Sequence, residues 1–148
     1  MKTTASSEER RSSVNTWVAF AVLLFAGIIV RLVFITNDGF KNDVASFEGW
    51  ALTLAQHPFS QFYAKAGFAD YPPGYFYILA VVGNLWQAFF QHSDPSYAGL
   101  KVLVKLPAII ADLLVGFLLF KVVRRFADER WALGAAALYI LNPAAIFI

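Results

Sequence analysis

Four carboxylate side chains lie in one polar interval of an otherwise apolar chain: Asp38, Asp43, Glu48 and Asp70. A carboxylate can act as a general base toward a hydroxyl group when it is held within hydrogen-bond reach of that group. The same residue type also caps helices, because a carboxylate satisfies the free N–H groups at a helix start. Acid–base chemistry and helix capping therefore both remain open interpretations of Asp43 and Asp70.

Other kinds of site lack their signatures in this sequence. There is no P-loop, no GxGxxG motif and no HExxH motif. His57 and His92 fall on separate predicted loops, so they do not form a metal-spaced set. Cysteine is absent, which excludes disulfides and thiolate ligands. We predict no metal-ligating residues and no certain cofactor, with a divalent metal kept as an open alternative.

The composition is that of a chain whose natural solvent is a bilayer. Hydrophobic residues make up 59% of the 148 residues and charged residues only 15%, whereas a soluble globular chain has about 25% charged residues. The net charge of +2, without an arginine-rich cluster, does not favour a nucleic-acid partner. We therefore predict an all-α integral membrane protein.

Four apolar runs are candidates for membrane-spanning helices, since about 20 residues cross the hydrocarbon core. These predicted spans are residues 17–36, 75–90, 100–123 and 131–148. Lys2, Arg10 and Arg11 precede the first span, so the positive-inside rule predicts that residues 1–13 form a cytoplasmic tail. Residues 14–148 form one membrane module. Because its last residues are apolar, we expect it to be part of a longer protein.

The distribution of positive charge conflicts with four alternating spans. With a cytoplasmic N-terminus, alternation puts the basic residues between the last two spans outside, against the positive-inside rule. These residues are Lys121, Arg124, Arg125 and Arg130. Either the helix after Asp70 does not cross fully, or a later part of the protein overrides the local bias.

A short amphipathic helix is predicted over residues 44–55, inside the long first extracytoplasmic loop. Its apolar residues recur at helical spacing and form one stripe: Val44, Phe47, Ala51 and Leu54. The helix is too short to cross a bilayer, so we expect it to lie at the interface. Asp43 is predicted as its N-cap, and Asp70 as the cap of the helix that follows Pro72-Pro73.

Two charged residues fall inside predicted spans, where a charge is costly unless it is partnered. Arg31 can extend its guanidinium to the interface or turn it toward the bundle to meet an anion. Asp112 is predicted to be structural, through a buried pair with Arg31 or a helix-locking hydrogen bond, in preference to a direct catalytic role. Both residues are assigned to charge balance.

Four features occur in a fixed order along the chain. Asp43 is followed by Phe47-Glu48, and then come Asp70-Tyr71-Pro72-Pro73, Ile110-Ala111-Asp112-Leu113 and Leu141-Asn142-Pro143. In this order the chain resembles the N-terminal part of GT-C glycosyltransferases, integral membrane enzymes that use polyprenyl-phosphate sugars. It is most similar to the endoplasmic-reticulum glucosyltransferases that extend dolichol-linked oligosaccharide and to related bacterial mannosyltransferase-like proteins. The resemblance covers nearly the whole chain after the tail.

The resemblance implies an inverting transfer of a hexose, mannose or glucose, to an acceptor hydroxyl at the extracytoplasmic face of the cell membrane. Asp43 would be the catalytic base, and Asp70, Tyr71 and Glu48 would bind substrate. The implied partners are membrane lipid, the polyprenyl-phosphate sugar and an acceptor glycan, lipid or protein. Donor-phosphate contacts would come from a further C-terminal part, so the chain alone is expected to be inactive.

One departure from the family and two other functional classes bear on this interpretation. Many relatives carry an Asp-Glu or Glu-x-Asp pair in the first loop, whereas Asn42 and Val44 flank Asp43 here, which weakens any expectation of metal binding. A non-enzymatic membrane subunit or transporter part would instead use Arg31 and Asp112 as a structural or translocating pair. An inactive scaffold that helps a bundle assemble is the third alternative.

Overall fold

The structure is a computed structural model that describes residues 2–94 and 96–146. Helix accounts for 80% of the chain, and no strand occurs among the described residues. The predicted all-α class is therefore confirmed. The chain forms two compact units. Among the described residues, unit 1 combines those up to Phe34 with those from Ile110 onward, and unit 2 consists of those between Ile35 and Ile109.

The described residues contain seven α-helices and one 3-10 turn. They are α1 Lys2–Phe34, α2 Lys41–Gln56, the 3-10 turn Phe59–Gln61, α3 Phe62–Lys65, α4 Pro73–Phe89, α5 Ala98–Phe126, α6 Glu129–Ile140 and α7 Pro143–Ile146. Helix α1 begins at Lys2, so the backbone of the predicted tail is helical. The chain turns after α1, with Gly39 at a positive φ of 55°.

Two helices are long and apolar enough to cross a membrane: Val14–Phe34 within α1, and α5. Their mean hydropathies are 2.5 and 2.3, and only 17% of each apolar window is buried inside the protein. These two correspond to the first and third predicted spans. Helices α4 and α6 have 17 and 12 residues, so the second and fourth spans remain predictions.

In unit 1, α1 and the second half of α5 run antiparallel. Near the start of the apolar part of α1, Phe20 stacks on Phe120 of α5 with ring centroids 4.2 Å apart, and Trp17 meets the same ring edge-on at 5.2 Å. Toward the end of α1, Arg31 meets Asp112, which lies earlier in α5. Because late α1 residues meet earlier α5 residues, the two helices point in opposite directions.

Two glycines allow the helices of unit 1 to approach closely. A Cβ added at Gly27 of α1 would lie 2.3 Å from Ile140 Cγ2, and one added at Gly116 of α5 would lie 2.5 Å from Ile140 Cγ1. Ile140, in α6, is fully buried. Small residues at such contacts are the usual means of close helix packing in membranes, where no hydrophobic force drives helices together.

We expect Gly27→Ala or Gly116→Ala to destabilise unit 1 by about 1–3 kcal/mol, the usual cost of overpacking a filled core. Thermal unfolding in detergent, followed by circular dichroism, measures the effect. Gly134→Ala in α6 is the matched control, because a Cβ there has nothing within 4 Å and alanine favours the helix. If all three variants unfold at the same temperature, this account of the packing is wrong.

In unit 2, α2 packs along α4. The predicted stripe is confirmed in that Val44, Ala51 and Leu54 are buried. Gly83 of α4 makes the close approach possible, since an added Cβ would lie 2.1 Å from the Ala51 carbonyl oxygen. The stripe therefore contacts protein, and its apolar surface is not available to lipid.

Both predicted acidic helix caps are wrong. The N-cap of α2 is Phe40, whose carbonyl accepts bonds from the N–H groups of Asp43 and Val44. Asp43 consequently lies inside the first helical turn. The N-cap of α4 is Pro72, and α4 begins at Pro73, which leaves Asp70 two residues before the cap. Helix α2 begins before Asp43 and α4 begins three residues after Asp70, so neither aspartate occupies the cap position.

The acidic cap that the sequence did not predict is Asp94, before α5. Its Oδ1 accepts the N–H of Ala98 at 3.0 Å, and its Oδ2 accepts the N–H of Gly99 at 2.7 Å and Trp86 Nε1–H at 3.0 Å. The hydrogen bond from Trp86, together with those from the backbone, lowers the pKa of Asp94. This carboxylate joins the end of α4 to the start of α5.

Candidate functional site

Two of the predicted site carboxylates of the first loop, Asp43 and Asp70, are accessible. Asp43 is exposed in the first turn of α2, and its carboxylate makes no hydrogen bond or ion pair with the residues that the structure describes. Asp70 is exposed before α4. Neither side chain is occupied by capping, so both remain free to accept a hydrogen bond from a ligand.

An aromatic cluster joins α2 to the Asp70-Tyr71 segment. The ring of Tyr71 lies 5.1 Å from that of Phe47 and 5.8 Å from that of Trp50, centroid to centroid, and Tyr75 lies 5.3 Å from Phe47. Phe47 follows Asp43 by four residues and so lies one turn further along the same side of α2. Tyr71 therefore packs against α2 one helical turn from Asp43, on the same side of the helix.

Trp50 also fixes the chain leading into this segment. Its indole Nε1–H donates to the carbonyl oxygen of Phe68 at 2.8 Å. The sequence analysis did not single out Trp50 and Tyr75 as part of this cluster. The signal for Trp50 was spacing, because it follows Phe47 by three residues and such pairs are neighbours on a helix face. Tyr71 precedes α4, so helical spacing gave no signal for Tyr75.

The carboxyl group of Glu48 is partly removed from solvent. The side chain is half-buried, and its Oε1 is shielded from solvent without a hydrogen-bond partner among the described residues. Burial raises the pKa of Glu48, because desolvation disfavours the charged form. The charge of Asp38 also raises this pKa, whereas the charges of Lys101 and Lys105 lower it.

Those three charged residues and Glu48 form a polar cluster in unit 2. Lys101 Nζ pairs with Asp38 Oδ1 at 2.7 Å. Lys105 is only 5% exposed, and its Nζ donates to the backbone oxygen of Asn37. With two ammonium groups and two carboxylates the cluster is electrically balanced when all four are charged.

The two lysines are functional candidates that the sequence analysis missed. Their spacing of four residues was the available signal, since it puts both on one face of α5. That they face Asp38 and Glu48 depends on the packing of unit 2, which the spacing does not reveal.

In unit 1, the structure brings the predicted pair Arg31 and Asp112 together, with Nη2 and Oδ2 3.5 Å apart. Arg31 is 2% exposed, so it does not extend to the interface. Its Nη1 donates to the carbonyl oxygens of Ile140 at 2.8 Å and Gly27 at 3.2 Å. Tyr139 donates its hydroxyl to Asp112 Oδ1 at 3.2 Å. Arg31 thus contacts the end of α6 as well as α5.

The described residues contain no group of three or more His, Cys, Asp or Glu side chains that could hold a metal ion. The exposed carboxylates of the first loop, Asp43 and Asp70, can act as hydrogen-bond acceptors and bases. Their arrangement, one exposed carboxylate on α2 beside an aromatic cluster, can receive a hydroxyl group together with the apolar face of a ring.

Comparison of the chain with known protein families, with curated proteins and with solved structures finds no match. The resemblance to GT-C glycosyltransferases therefore rests on the sequence motifs alone. The class that the structure defines is coarser: an all-helical chain with two helices long and apolar enough to span a membrane.

We expect the contributions of Glu48 and Asp38 to folding stability to change in opposite directions with pH. The folded state raises the pKa of Glu48, so its contribution is present at low pH and is lost as pH rises through the folded-state pKa. The pairing with Lys101 lowers the pKa of Asp38, so its contribution is present above the ordinary pKa, about 4, and is lost as pH falls through the folded-state pKa.

Thermal unfolding of the parent protein, Glu48→Gln and Asp38→Asn across the acidic to neutral range measures both dependences. The stability of the parent relative to Glu48→Gln should fall as pH rises, and its stability relative to Asp38→Asn should increase. Two differences that change in the same direction would contradict the assignment of the polar cluster.

Proposed function

We propose that the chain is a multi-pass membrane module of a GT-C-type glycosyltransferase. The enzyme would transfer mannose or glucose from a polyprenyl-phosphate sugar to an acceptor hydroxyl at the extracytoplasmic face, with inversion. The order of the four sequence motifs supports this proposal. The aromatic cluster carries it, because it holds the helix that bears Asp43 against the Asp70-Tyr71 segment.

Asp43 is the proposed general base. Its carboxylate would take the proton of the acceptor hydroxyl, and the resulting oxygen would form a bond to the anomeric carbon. The bond from that carbon to the lipid phosphate would break, and the phosphate would leave with the electron pair. The exposure of Asp43 and its lack of a described partner support this role, since a base must be able to reach the substrate.

Substrate positioning is assigned to the residues around Asp43. Tyr71 presents a ring that is 42% exposed, and Asp70 presents an exposed carboxylate beside it. Aromatic faces pack against the apolar face of a sugar ring, and carboxylates accept its hydroxyl groups. Glu48, on the same helix as Asp43, is the third proposed substrate-binding residue.

The transporter alternative receives less support. A translocating pair has to exchange partners, whereas Arg31 is held by two backbone carbonyls as well as by Asp112. We therefore assign Arg31 and Asp112 a structural, charge-balancing role inside the bundle.

We also propose a membrane topology for the module. Since α1 and α5 run antiparallel, the ends of the intervening segment, residues 35–97, lie on one side if both helices cross. Helix α4 then does not cross the membrane, and α6 begins the next crossing. The basic end of α5 returns to the cytoplasmic side, as the positive-inside rule requires. The number of crossings before α6 is then two.

We expect Asp43→Asn to reduce sugar transfer by about 100-fold or more, the usual contribution of a general base, while folding is unchanged. The measurement is transfer of radiolabelled mannose or glucose from the polyprenyl-phosphate sugar in native membranes that contain the protein. Asp128→Asn is the matched control, an exposed carboxylate at the start of α6. Full activity of Asp43→Asn would overturn the assignment of the base.

The topology can be tested with single cysteines, because the chain contains none of its own. We expect a membrane-impermeant maleimide to label Ala45→Cys and His92→Cys from outside intact cells, and to reach Ala127→Cys only after permeabilisation. All three positions are exposed in the structure. Protection of His92→Cys beside a labelled Ala45→Cys would mean that α4 crosses the membrane.

A further inference from the structure

The connection between α5 and α6 in unit 1 concentrates positive charge at the end of a membrane-capable helix. Four basic and two acidic residues lie between residues 121 and 130, an excess of two positive charges. The basic residues are Lys121, Arg124, Arg125 and Arg130. We call this segment, residues 121–131, the basic corner.

Internal contacts of the basic corner give it a fixed shape. Arg124 pairs with Glu129 at 3.0 Å, and its guanidinium carbon lies 5.3 Å from the ring centre of Trp17. Glu129 also accepts a hydrogen bond from the hydroxyl of Thr16. These contacts tie the start of the apolar part of α1 to the turn between α5 and α6, so the remaining cations project from a rigid support.

The cations that remain accessible are Lys121, Arg125 and Arg130, which are all exposed. Large apolar rings are exposed beside them: Phe126 is 81% exposed and Trp131 is 71% exposed. Exposed rings of this size are unfavourable in water, but tryptophan and other aromatic residues are favoured at the headgroup level of a bilayer. The corner thus combines cations with rings that enter the boundary between headgroups and acyl chains.

We propose that the basic corner binds the headgroups of anionic phospholipids. Arg125 and Arg130 contact the headgroup phosphates, Lys121 adds a further positive charge, and Trp131 and Phe126 lie among the upper acyl-chain carbons. Basic clusters next to a membrane-spanning helix bind anionic lipid in this way, each cation strengthening binding about fivefold. An acidic protein surface is the other ligand that the cations could attract, and the exposed carboxylate of Asp128 would repel it and an anionic lipid alike. The exposed rings of Phe126 and Trp131 favour the lipid, because its acyl chains can surround them.

Native mass spectrometry of the purified protein in detergent, titrated with phosphatidylglycerol or phosphatidylcholine, tests the proposal. We expect the parent protein to bind phosphatidylglycerol more tightly. Arg125→Gln together with Arg130→Gln should weaken that binding by about tenfold or more and leave phosphatidylcholine binding unchanged. Lys65→Gln, which removes an exposed cation from α3 in unit 2, should retain the full preference.

The remaining measurements separate headgroup binding from other causes. Trp131→Ala should weaken binding of both lipids alike, because the ring contacts acyl chain and not charge. Added salt should reduce the preference for phosphatidylglycerol. Equal affinity for the two lipids, an unchanged preference in the double variant, or full competition by inorganic phosphate would each overturn the proposal. Circular dichroism verifies that these surface variants fold, and none of them alters Asp43, so sugar transfer is an independent readout.

Discussion

The buried guanidinium of Arg31 is the constraint on which the arrangement of unit 1 depends. A charge removed from solvent is tolerated only when it is partnered, and replacing one partner leaves the other uncompensated. Arg31 meets this requirement by contacting α5 through Asp112 and α6 through the carbonyl of Ile140. The latter lies at the end of α6, where helix ends leave carbonyls without intrahelical partners. One side chain therefore satisfies a helix end and joins three helices.

Several elements follow from local sequence alone. The apolar stripe of α2, the turn at Gly39 and the break between α6 and Pro143 depend on periodicity, glycine and proline, which act over a few residues. The caps do not follow in this way. Asp43 and Asp70 have the right residue type for capping, but Phe40 and Pro72 hold the cap positions, because the helix start depends on how the preceding loop folds.

The site residues Asp43, Glu48, Asp70 and Tyr71 were assigned from the resemblance to GT-C glycosyltransferases, and those roles stay predictions. The structure adds a contact that the motifs do not encode, the packing of Tyr71 on α2. Two of the charges near Glu48, those of Lys101 and Lys105, come from residues more than fifty positions away, and no local pattern encodes such a contact. The antiparallel course of α1 and α5 also depends on contacts between distant residues, so the positions of the basic residues did not reveal it. Those positions agree with it.

The packing around Ile140 gives three distant positions a common volume constraint. Gly27, Gly116 and Ile140 lie on three helices, and the isoleucine fills the space that both glycines leave open. Their combined volume, and not the identity of any one residue, is what the bundle fixes. In related sequences a larger residue at position 27 or 116 would accompany a smaller one at position 140, so these helices are expected to evolve as one unit.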